Sequence, residues 1–85
     1  MSYPHTLRLI GIELDAAGID STLESVPAAL VIDGARGVYV ATIDGREIVV
    51  GRYVNADDRD LGVSPVCSWR VRWLADVVEI VRDAR

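Results

Sequence analysis

The chain has no phenylalanine, no lysine and no glutamine, and only one cysteine and one histidine. Each scarcity closes a route. A single cysteine, Cys67, forbids an internal disulfide and a cysteine-rich zinc site. The single histidine, His5, follows Pro4 near the start of the chain. A Ser–His–Asp or Cys–His arrangement needs its imidazole held rigidly beside a nucleophile, and nothing in the pattern fixes His5. Without lysine there is no P-loop, and the glycine-rich "DGARG" (33–37) lacks that motif's spacing as well. There is no apolar run of roughly 18 residues and no basic-then-apolar leader, so a cytoplasmic protein with no membrane partner is expected. The absence of lysine and glutamine reads as coding bias rather than as chemistry.

All nine basic residues are arginine, set against 13 carboxylates for a net charge of −4. An acidic domain lacks the overall attraction to phosphate backbones on which most nucleic-acid binders rely. What the chain has in quantity is aliphatic side chain: 51% of residues are apolar, with 13 valines, 7 isoleucines and 7 leucines. Its 85 residues make one domain, 1–85, with residues 1–5 expected as a flexible tail. A domain of this size hides only about 60–65% of its unfolded surface. Some of the apolar excess is therefore expected on the outside, where it implies a partner. A second copy is the simplest one, and the expected partners are the protein itself, as a homodimer, and an unidentified protein.

Along the chain, "TLRLIGIEL" (6–14) reads as a first strand, with a bulge at Gly11 to explain why the apolar face switches there. Asp20 or Ser21 is a candidate cap for one helical turn ending at Pro27. "AALVID" (28–33) reads as a strand and "DGARG" as a turn. "GVYVATI", Asp44-Gly45 and "REIVVGRY" read as a β-hairpin with a type I′ turn, which sets Ile43 opposite Arg46, Ala41 opposite Ile48 and Tyr39 opposite Val50. Both faces of that hairpin are substantially apolar, so both need covering. One cover is the chain's own helix, and a second copy is a candidate for the other. Residues 74–84 read as an amphipathic helix, with Leu74, Val77, Val78 and Val81 at i, i+3, i+4 and i+7, and a final strand is the alternative because valine is a mediocre helix former.

"CSWRVRW" (67–73) alternates without a break. As a strand it points Cys67, Trp69, Val71 and Trp73 one way and Ser68, Arg70 and Arg72 the other. Stacking platforms for single-stranded nucleic acid need aromatics and cations side by side, whereas here they part. The acidic loop "NADDRDLG" (55–62) fails the EF-hand pattern, because position five from Asp58 is Gly62 and position twelve is Trp69. No pair among the carboxylates is singled out by spacing, and no cofactor, metal or catalytic residue is assigned.

These readings give an α+β domain: an antiparallel β-meander of four to five strands with one C-terminal amphipathic helix. "WRVRWLADVVEIV" resembles the closing strands of small SH3-like or Sm-like barrels, which makes such a barrel the alternative fold. The expected function is a non-enzymatic protein-interaction module with Tyr39, Tyr53, Trp69 and Trp73 as core or interface anchors. The first alternative is a binder of nucleic acid or a phosphate ligand, using an arginine stripe of Arg46, Arg52, Arg70 and Arg72. A small enzyme with carboxylate chemistry is the third.

Overall fold

The structure is a computed structural model that describes residues 2–25, 27–34 and 36–82. It opens with a helix rather than a strand, α1 (Ser2–Ala16). Leu7, Ile10 and Leu14 recur at i, i+3 and i+7 along it, and all three are fully buried. The face switch that suggested a bulged strand over 6–14 is this helical period. Gly11 serves helix–sheet contact instead: a Cβ there would lie 3.3 Å from Ser21 Oγ and 3.6 Å from Leu30 Cδ1. α1 closes in a Schellman motif at Gly18 (φ +78). The Ile19 amide donates to the Leu14 carbonyl at 2.8 Å, and the Gly18 amide to that of Asp15 at 2.9 Å.

Five strands follow: β1 (Ser21–Ser25), β2 (Ala28–Gly34), β3 (Gly37–Asp44), β4 (Glu47–Tyr53) and β5 (Cys67–Val71). They form one antiparallel sheet in chain order, with β1 and β5 as free edges. The sheet is open, so the barrel alternative is excluded. The helical turn expected after Asp20 is replaced by β1, whose residues pair with Ile32 through Ala28. One isolated turn fixes many dihedrals for few hydrogen bonds, whereas a strand beside β2 joins an existing ladder.

The β3–β4 hairpin forms two residues out of the expected register. Ile43 pairs with Ile48, Ala41 with Val50, and Tyr39 with Arg52. The cause is the turn. A type I′ turn centred on Asp44-Gly45 needs positive φ at Asp44, but no non-glycine residue has positive φ among the described residues. Asp44 stays in the strand opposite Glu47, and Gly45 (φ +63) takes the first central position. Because the shift is two residues, every side chain keeps its face.

One face therefore carries the rows Ser21–Ile32–Tyr39–Arg52–Cys67, Leu23–Leu30–Ala41–Val50–Trp69 and Ile43–Ile48–Val71. α1 and the C-terminal helix α3 (Leu74–Arg82) pack with this face. The predicted amphipathic helix is α3, with Val77 and Val81 buried on its inner side. The cluster joins Leu7, Ile10 and Leu14 to Leu30, Ile32, Tyr39, Ile48 and Val50. Each such side chain contributes about 1.5–3 kcal/mol through burial.

The opposite face is covered in part by the chain itself. Ala29 and Val40 point that way and are 1% and 7% exposed. The β4–β5 connection (54–66) holds a short helix, α2 (Ala56–Asp60), capped by Asn55, whose Oδ1 accepts from the Asp58 amide at 3.0 Å. At one end of this connection Pro65 Cβ lies 3.3 Å from where a Cβ of Gly51 would sit. In its middle, Arg59 of α2 is ion-paired to Glu24 of β1 at 2.6 Å. The polar loop of the sequence is thus a strap across the sheet, and Asp57 and Asp58 sit in the first turn of α2, where acids suit a helix.

Candidate interaction surface

The four aromatic candidates divide between settings. Tyr39 is in the core at 0% exposure, and half-buried Trp69 lies beside it with ring centroids 6.2 Å apart at 32°. Tyr53 is half-buried on the strap side of the sheet, opposite Val38. Trp73 leaves the alternation because β5 ends at Val71, and it is 70% exposed in the bend before α3. The helices do not cover the Cys67 end of β5, so this thiol is exposed although it shares the Tyr39 row. The Tyr39 hydroxyl is buried without a hydrogen-bond partner among the described residues, and burial raises its pKa against the opposing influence of Arg52 and Arg36.

The four arginines do not line up. Arg70 lies on the strap side and donates to Asp44 Oδ2 at 2.8 Å and Glu47 Oε1 at 3.0 Å. Arg52 lies on the helix side in the Tyr39 row and donates to the Arg36 carbonyl at 3.4 Å. Arg46 and Arg72, however, meet at one small cavity together with Thr6, Ile43 and Leu74. His5 is exposed on α1, and no group of three or more His, Cys, Asp or Glu side chains is arranged to hold a metal ion among the described residues. No described helix is long and apolar enough to cross a membrane.

A larger groove lies elsewhere, where α1 meets edge strand β1. It has a volume of about 380 Å³ and is lined by Arg8, Gly11, Ile12, Asp15, Ser21 and Leu23, among others. Ile12 is 58% exposed, and its neighbours Leu9 and Leu23 are 38% and 37% exposed. Reading 6–14 as a strand hid this surface, since only a helix gathers Arg8, Ile12 and Asp15 on one side. The signal was present in the i, i+3, i+7 spacing of Leu7, Ile10 and Leu14. No family model, curated protein or solved structure matches the chain.

Proposed function

We propose that the protein is a non-enzymatic interaction module that works as a homodimer, joined through the flank formed by α1 and β1. The observation that carries this reading is the apolar strip Leu9–Ile12–Leu23 beside an unpaired sheet edge. A two-fold contact must match itself. Arg8 and Asp15 stand on either side of Ile12 along the groove. When two copies of α1 lie antiparallel about Ile12, Arg8 of each faces Asp15 of the other. A stable interface takes about 800 Å² from each partner, a modest share of the 5495 Å² surface of this chain. An exposed free thiol at Cys67 suits the reducing cytoplasm, where we place the protein.

Sedimentation equilibrium over a range of concentrations tests the reading. The wild type is expected to dimerise, Ile12→Glu to abolish the dimer, and Arg8→Asp or Asp15→Arg alone to weaken it. Combining the two charge swaps restores it. A wild type that stays monomeric throughout, or an Ile12→Glu variant that dimerises normally, overturns the proposal.

A further inference from the structure

The cavity shared by Arg46 and Arg72 has a volume of about 210 Å³, shares no lining residue with the α1–β1 groove and is assembled from four parts of the chain. Thr6 comes from α1, Ile43 to Ile48 from the β3–β4 hairpin, Arg72 from the bend after β5, and Leu74 from the start of α3. We infer that it is a binding site for a carboxylate carried on a short aliphatic stem, held between Arg46 and Arg72 with its stem on Ile43, Ile48 and Leu74.

Charge supports the anion. One acid, Glu47, itself lines the cavity, but its carboxylate and that of the nearby Asp44 are both engaged by Arg70. Arg46 and Arg72 have no ion-pair partner among the described residues. Two guanidiniums can grip a carboxylate through charge-assisted hydrogen bonds, and the Thr6 hydroxyl adds a donor. The lining decides which anion. Ile43, Ile48 and Leu74 offer hydrocarbon that a phosphate would leave uncovered and an aliphatic stem would cover. Size narrows it again. The volume equals that of about seven waters at roughly 30 Å³ each, which suits a short-chain acid and falls below the usual range for drug-sized ligands.

The same chemistry is presented by a free branched acid and by the end of a peptide that terminates in an aliphatic residue. Titration of the ¹⁵N-labelled full chain separates these sources, with isovalerate, the peptide Gly-Gly-Val, its C-terminal amide and inorganic phosphate as probes. Saturable shifts of the Gly45, Arg46, Arg72 and Leu74 amides are expected with isovalerate, with the free-acid peptide, or with both, and whichever binds more tightly names the source. The amide peptide and phosphate are expected to bind at least about tenfold more weakly, since one lost charge-assisted contact costs about that factor. Arg46→Gln and Arg72→Gln should each weaken the acid by a similar factor while the rest of the amide spectrum stays native. Absence of saturable shifts with either acid, phosphate binding as well as the acids, or undiminished affinity in a folded Arg46→Gln/Arg72→Gln variant overturns the inference.

Discussion

The ring of Tyr39 fills the space that a side chain at Gly34 would need. A Cβ at Gly34 would lie 2.8 Å from Cδ1 of the ring and closer still to Cε1. Gly34 is not among the glycines with positive φ, so the requirement is one of room rather than of backbone conformation. Gly34→Ala is expected to cost about 1–3 kcal/mol, the usual range for overpacking. In a urea-unfolding double-mutant cycle the cost shrinks when Tyr39 is also replaced by leucine. An alanine equally costly in both backgrounds refutes the relationship.

Tyr39 also makes the fold sensitive to alkali. Burial raises its pKa above the ordinary phenol value. A group whose pKa is higher in the folded state gives a contribution that is complete below the unfolded value, near 10, and is lost as pH rises through the folded one. Tyr39→Phe removes an unpartnered buried hydroxyl and is expected to gain about 1 kcal/mol. Thermal melts at neutral and alkaline pH should show the variant more stable at both, with a shallower alkaline decline.

The ion pair between Arg59 and Glu24 gives an acid limb. The hydrogen bond from Arg59 holds the Glu24 carboxyl below its usual range, against a smaller opposing effect of burial. Its contribution is therefore present above the unfolded value and fades as pH falls through the depressed folded one. The pair is partly open to solvent, so Arg59→Ala should cost no more than about 1 kcal/mol. The informative readout is local. Amide exchange across 54–66 should quicken in Arg59→Ala and in wild type at low pH or high salt, and an unchanged pattern counts against the strap.

The hairpin register makes a prediction about two neighbours. Gly45→Ala must adopt positive φ and is expected to cost about 1–2 kcal/mol. Asp44 is an ordinary strand position that loses only an exposed ion pair on mutation, so Asp44→Thr should cost at most about 1 kcal/mol. Denaturant midpoints distinguish this turn from one centred on Asp44, in which threonine would be the more damaging of the two.

The parts legible in the sequence were those in which one physical rule acted alone. A glycine turn between two apolar, β-branched runs located β3 and β4, strict alternation located β5, and the spacing of Leu74, Val77, Val78 and Val81 located α3. The first 25 residues resisted. "TLRLIGIEL" is rich in strand-forming residues, but α1 forms because the helical spacing of Leu7, Ile10 and Leu14 buries all three together. "STLES" carries almost no apolar signal, since β1 is an edge strand held by its ladder with β2. The register error came from giving Asp44 a backbone conformation that Gly45 alone adopts. The arginine stripe failed for a reason no local pattern contains: Arg52 and Arg70 belong to adjacent strands whose register puts them on opposite sides.

Because the strands lie in the sheet in the order in which they are made, every strand zips onto the one just completed, and each step closes only a short stretch of chain. α3 docks against α1, the element farthest from it in sequence among those described. The nine residues of α3 follow β5. Those residues complete the hydrophobic layer, so α3 acts as the latch on the sheet.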